Sequence, residues 1–226
     1  MKQYTGWHFT ASATEGRCGW PLQRVEELPE GTKPALCHVG LHASKGALDA
    51  LSYAPGPFVS RVRLEGRVVV GGDKACATRR VRLAGPVDVS RELRLFACDC
   101  AERVLPLFER ERPGDTRPRE AIALARRFAK GEASQEDLDA AWAAAGAAAW
   151  DAAWAAARAA AWGAAWDAAG AAAWDAAWAA AWGAERAWQE QELTRVLGAA
   201  LEGKESVAAL VPAAASPSRC SSGWWS

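Results

Sequence analysis

Apolar and polar positions alternate in the stretch Phe58-Val59-Ser60-Arg61-Val62-Arg63-Leu64, which predicts a strand with one wet face. The same reading predicts extended segments at Tyr4–Thr10, Leu22–Leu28, Ala35–Leu41, Phe58–Leu64, Val68–Val70 and Arg79–Leu83. Gly and Pro punctuate them at Gly19-Trp20-Pro21, Pro29-Glu30-Gly31, Pro55-Gly56-Pro57 and Gly71-Gly72-Asp73. One short helix, Lys45–Tyr53, is expected to start on Ser44 as its N-cap and to stop at Pro55.

After Pro86 the apolar spacing turns helical. Leu93, Ala97, Ala101, Val104, Leu105 and Phe108 predict a helix over Asp88–Glu111, which Pro106 should kink or divide and Pro113-Gly114-Asp115 should end. Pro118 suits the first turn of a second helix, Arg119–Lys130, with Ile122, Leu124, Ala125 and Phe128 facing inward and Gly131 as its stop. Ser134 and Asp137 have the spacing of a capping box for a third.

That third segment is a repeat of about twelve residues, beginning DAAWAAAGAAAW at Asp139, and residues 139–188 hold 30 Ala and 9 of the 13 Trp. Ala makes helix the expectation. A stripe recurring every four residues drifts about 40° per step on a 3.6-residue helix, so Trp174 falls about 240° round from Trp150. One straight helix would bare Trp on every side. Residues 134–200 are therefore expected to break near Gly146, Gly163, Gly170 or Gly183 into at least two packed helices, with most repeat Trp side chains buried between them. The run Gln189–Leu201 continues or closes this region, and Pro212–Ser226 reads as a loose tail.

The fold class that follows is α+β. A small N-terminal mixed α/β sheet domain (1–87) precedes an all-α Ala/Trp-repeat helical domain (88–201), and 202–226 form the tail. The Ala/Trp helices also offer a surface for a homo-oligomer. Lys plus Arg and Asp plus Glu number 27 each, so the formal charge is zero, which argues against a general duplex nucleic-acid binder. The balance conceals a gradient: residues 58–96 carry +5 and residues 139–226 carry −4. The N-terminal residues show no apolar leader and the six cysteines no framework spacing, so a reducing cytoplasmic location with free thiols is expected. Charged residues interrupt the Ala/Trp region often enough to argue against a membrane span.

Chemistry-bearing motifs are sparse. Cys98 and Cys100, two apart on a helix, point about 200° from each other and cannot share a metal there. Cys37, His38 and His42 lack an evident fourth ligand, so no metal is expected. There is no Ser/His/Asp motif, phosphate loop or Rossmann glycine signature, and no cofactor is expected. The arginines are more suggestive. Arg61, Arg63, Arg80 and Arg82, from neighbouring strands, read either as a solvated or internally docked sheet face or as an anion-binding face. In the second reading Trp7 and Trp20 supply an aromatic partner and His42 a further polar group.

Residues Cys98–Glu132 resemble the helical immunity-protein domain found in many bacterial and phage genomes. The resemblance rests on Cys100-Ala101-Glu102, Val104-Leu105-Pro106, Phe108-Glu109 and Arg117-Pro118-Arg119-Glu120-Ala121-Ile122. Residues 4–84 are similar to an uncharacterised domain of tailed phages through Gly40-Leu41-His42-Ala43-Ser44, Ala47-Leu48-Asp49-Ala50-Leu51 and Gly72-Asp73-Lys74. Together these resemblances imply a phage-encoded accessory protein that binds and neutralises an immune-related effector or its nucleotide signal. Gly40-Leu41-His42-Ala43-Ser44, with Tyr4-Thr5-Gly6-Trp7-His8, also distantly resembles the strands of ADP-ribosyltransferases. That likeness implies an enzyme using NAD and depending on His8 and His42. His42 stands where those enzymes carry an aromatic, and no catalytic Glu is evident.

Overall fold

The computed structural model describes residues 4–16, 21–141, 143 and 168–204, excepting the side chains at 104, 107, 111 and 168–182. In chain order the elements are β1 (Tyr4–Thr10), β2 (Val25–Glu27), β3 (Leu41–Ala43), α1 (Ala47–Ser52), β4 (Phe58–Val70), β5 (Ala75–Asp88), α2 (Ser90–Glu111), α3 (Arg117–Ala129) and α4 (Ala168–Leu201). An antiparallel sheet thus precedes helices, as an α+β chain should have it. The residues fall into two compact units, one running to Ser90 and resuming at Glu190, the other running from Arg91 to Gln189.

In the first unit the sheet order is β1-β4-β5-β2, and β3 also pairs with β5. The two strands expected at Phe58–Leu64 and Val68–Val70 are one 13-residue strand, with an irregularity between Glu65 and Val68. Gly71–Lys74 then turns the chain into a 14-residue partner, β5, in which Arg79–Leu83 is only the middle. Of the expected Leu22–Leu28, only Val25–Glu27 pairs. The strand expected at Ala35–Leu41 is instead a turn, because the Ala35 carbonyl accepts from both His38 and Val39, and pairing with β5 begins at Leu41.

β1 pairs with β4 along one edge and touches the end of β3 along the other. Trp7 N–H donates to the Ser44 carbonyl at 2.7 Å and Ser44 N–H returns the bond at 3.1 Å. This bridge links β1 through β3, β5 and β4 back to itself. Gly6 is needed there, since a Cβ would sit 2.5 Å from the Ser44 oxygen. The apolar core of this ring is Ala43, Val62, Leu64, Ala75 and Ala77, with Tyr4 and Val68 packed against it.

Ser44, spent on that bridge, does not cap α1. The helix starts at Ala47 after Gly46, and its first N–H groups are met from far along the chain. Glu190 accepts from Ala47 N at 2.6 Å and from Leu48 N at 2.9 Å through its two carboxylate oxygens. The turns of α4 that follow Glu190 bury Leu193, Leu197 and Leu201, spaced four apart on one stripe.

In the second unit, α2 and α3 form an antiparallel hairpin. Asp88 accepts from Ser90 N at 2.8 Å ahead of α2, which continues through Pro106 without being divided. Pro118 lies in the first turn of α3, which begins at Arg117, and Gly131 ends it at φ 77°. Of the inward candidates Ile122, Leu124, Ala125 and Phe128, all are half-buried, and the buried pair is Ala121 and Ala129. The capping box forms reciprocally: Asp137 N donates to Ser134 Oγ and Ser134 N to Asp137 Oδ2, both at 3.1 Å. Residues 135–141 are helical after it.

Of the four alternative break points, Gly170 and Gly183 are not used: α4 runs unbroken for 34 residues. Glycine costs a helix roughly 1 kcal/mol relative to alanine, which so Ala-rich a run absorbs. The expected breaks at Gly146 and Gly163 and the expected burial of Trp142, Trp150, Trp154, Trp162, Trp166, Trp174, Trp178 and Trp182 lie outside the described side chains, as does the tail beyond 204. Trp188 is half-buried, with the Arg103 guanidinium 4.0 Å from its ring. Among the described residues no helix is long and apolar enough to cross a membrane.

Candidate functional site

Strand register separates the four candidate arginines. Across β4 and β5, Val62 pairs with Arg82 and Leu64 with Arg80, and directly paired residues share a face. Arg80 and Arg82 therefore lie with Val62 and Leu64, whereas alternation puts Arg61 and Arg63 on the reverse side. The set does not form one surface.

On the reverse side, Arg61 lies 4.5 Å over the Trp7 ring, and Trp7 is only 5% exposed. Burial lowers the Arg61 pKa, and its Nη1 is sealed from solvent without a partner. Arg63 donates to Glu65 at 2.7 Å, and Arg79 reaches the same carboxylate at 2.9 Å. These are held side chains, with the indole already stacked. Trp20 lies outside the described residues.

The other side is more unusual. Arg82 is 1% exposed and Arg80 7%. Arg82 Nη1 donates to Ser60 Oγ at 2.6 Å, and Arg80 Nη1 donates to the His42 carbonyl at 2.8 Å. Glu26, opposite Arg80 on β2, accepts from Arg80 Nε at 2.6 Å and more loosely from Arg82 Nη2 at 3.5 Å. His8 joins through β1, where it sits directly opposite Ser60. Sequence alternation alone did not show this cluster, because β2 and β3 reach it only through their shared partner β5.

Its electrostatics follow from burial. Burial pushes the Glu26 carboxyl up, yet the two guanidinium groups outweigh this and hold it below its ordinary value. Burial drives the Arg82 pKa down to about 10, against the pull of Glu26. His8 is pushed well below 6.5 by burial and by the charges of Arg80, Arg82 and His42. His42 is also lowered, by burial and by Lys74 and Arg80, although a bond to the Gly40 backbone opposes the shift. Both imidazoles are therefore neutral at pH 7. Arg82 Nε, His8 Nδ1 and His42 Nε2 are each buried without a hydrogen-bond partner.

The described cysteines are free thiols; Cys76 and Cys98 are buried, and Cys37 is exposed in its turn. Among the described residues, no group of three His, Cys, Asp or Glu side chains is placed to hold a metal ion.

The helical hairpin presents a second kind of site. Arg126 Nη2 reaches both Asp99 and Glu102 at 2.7 Å, Arg119 Nε donates to Glu109 at 2.8 Å, and Cys98 Sγ lies 3.9 Å from the Ile122 carbonyl. These contacts fix α3 against α2. An open groove of about 420 Å³ remains between them, lined by Glu102, Leu105, Pro106, Arg119, Ile122 and Ala123. Pro106 deepens its consequence, since a proline leaves the carbonyl four residues earlier, that of Glu102, without its helical donor. No curated protein and no solved structure matches the chain. Residues 88–196, which contain this hairpin, match the family model described as "Imm-5 like putative immunity protein", and the match points to an immunity-type role.

Proposed function

We propose that the chain acts by binding, as a phage-encoded immunity-type protein that neutralises an effector protein in the host cytoplasm through its helical unit. The observation that carries this reading is the family match over residues 88–196. The groove between α2 and α3 supports it. It combines an apolar floor with an acid and a base at Glu102 and Arg119, suiting a protein segment of mixed character. The phage-domain resemblance of residues 4–84 supports the source.

Ala123, exposed on α3, provides the test. Ala123→Arg puts a long cation into the groove without disturbing the core. The variant is expected to melt with the wild-type chain and to lose protection of cells that co-express an effector from the same locus. Full protection by a folded variant would move the contact elsewhere.

A second reading, an ADP-ribosyltransferase-like enzyme using NAD, draws on one observation: His8 and His42, from strands joined at Trp7 and Ser44, belong to one polar cluster. Against it stands Glu26, the carboxylate of that cluster, which is engaged by two arginines. Incubation with labelled NAD and host lysate separates the readings. Binding predicts no transferred label. Transfer that disappears in His8→Ala or His42→Ala would establish the enzyme.

A further inference from the structure

We propose that the cluster of Arg80, Arg82, His8 and His42 in the sheet unit binds the phosphate group of a small ligand, a phosphate monoester such as a mononucleotide. The proposal concerns a different unit from the effector contact and stands without it.

The first argument is charge. Arg80 and Arg82 bring two positive charges and Glu26 one negative charge, while the two imidazoles are neutral. A net positive charge thus lies among side chains buried to 93% or more in the case of both arginines. An unbalanced buried charge is costly, because the group has lost its hydration without gaining a counter-charge. A water molecule would satisfy donors here without supplying the missing negative charge. An anion supplies both.

The second argument is the set of nitrogens left open. Arg82 Nε, His8 Nδ1 and His42 Nε2 come from β5, β1 and β3, and each is sealed from solvent without a partner. Buried polar groups are paired in the great majority of cases, so several unpaired in one cluster require an explanation. Arg82 Nε and His8 Nδ1 can donate to phosphate oxygens, and His42 Nε2 does so once the anion draws a proton onto its imidazole, which gives three donors from three strands for the several oxygens of a tetrahedral phosphate. The arginines form the floor. His8, His42 and Glu26 keep some exposure, so they form the rim that a ligand meets first, and the imidazoles must turn for their sealed nitrogens to reach it. The ligand's remaining part lies on the rim side, since Trp7 is covered by Arg61 on the reverse face.

The test titrates the full chain with inorganic phosphate and with AMP at constant ionic strength, chloride replacing the ligand in controls. The melting temperature is expected to rise saturably with phosphate or AMP and not with chloride. The Arg82 Nε–H resonance should shift along the same isotherm. Arg82→Gln should abolish the effect. His8→Gln and His42→Gln, which keep a neutral polar group and the fold, should each weaken binding about tenfold, the loss expected for one hydrogen bond to a charged group. Arg63→Gln, on the reverse face, should leave binding unchanged. Tighter binding of AMP than of phosphate identifies a nucleotide as the source, and equal affinities identify the bare oxyanion. Phosphate and AMP acting no differently from chloride, or binding that survives undiminished in both histidine variants, would overturn the proposal.

Discussion

His8 shows how one side chain in this chain is governed by its surroundings rather than by its neighbours in sequence. In the sequence it belongs only to the extended segment Tyr4–Thr10 and to the ADP-ribosyltransferase likeness, yet Arg80, Arg82 and His42 gather round it from other strands. Its pKa, and that of His42, lie below the ordinary value in the folded chain and return to about 6.5 on unfolding. The unfolded chain therefore binds more protons below about pH 6.5. The stability contributed by the two neutral imidazoles is complete above that pH and is lost as the pH falls through their folded values. Urea midpoints are expected to drop between about pH 7.5 and pH 5.5, and His8→Gln should shrink that drop. The window lies above that of Glu26, whose lowered pKa withdraws stability only at more acid pH. An equal drop in wild type and His8→Gln would mean that His8 is not the group that titrates. Arg82 makes the related point: its place on a neighbouring strand makes it one of a set, but only the pairing of Val62 with Arg82 puts it on the buried face.

At the scale of elements, legibility depended on how local the deciding interaction was. The capping box at Ser134 and Asp137 and the stop at Gly131 are decided within a few residues, and both are found where the residue pattern puts them; the strand at Phe58–Leu64 also forms, but Ser60 is fully buried, so its polar positions do not make one wet face. The start of α1 is not local. Ser44 has the right chemistry for a cap, but its backbone is committed to Trp7, and a carboxylate 143 residues from Ala47 takes the role. Glu190→Ala should therefore cost about 1–2 kcal/mol, the usual range for losing a good cap. Glu190→Gln should recover part of this through its amide oxygen. Urea unfolding of the full chain checks both, and an unchanged midpoint in Glu190→Ala would show that the cap contributes nothing. The drift of the Trp stripe makes glycine a candidate break, yet of the four candidates Gly170 and Gly183 are passed by α4 without one, since nothing at either position itself forbids helix.

At the scale of the molecule, the chain leaves the sheet unit after Ser90 and returns to it at Glu190. Glu190, Leu193 and Leu197 lie on the same helix, α4, as the last part of the Ala/Trp repeat, residues 168–188. What the sequence did carry at this scale was the resemblance of Cys98–Glu132, and the match over 88–196 covers it. The proposed immunity-type role requires that protection come from stoichiometric binding and not from turnover. Titrating a fixed amount of purified effector with the full chain, and reading residual effector activity, tests this most directly. Binding predicts a linear fall that reaches zero near one chain per effector and an effector that regains activity when the complex is dissociated. Complete inactivation by a small fraction of an equivalent, persisting after the chain is removed, would contradict the binding role and point to an enzyme.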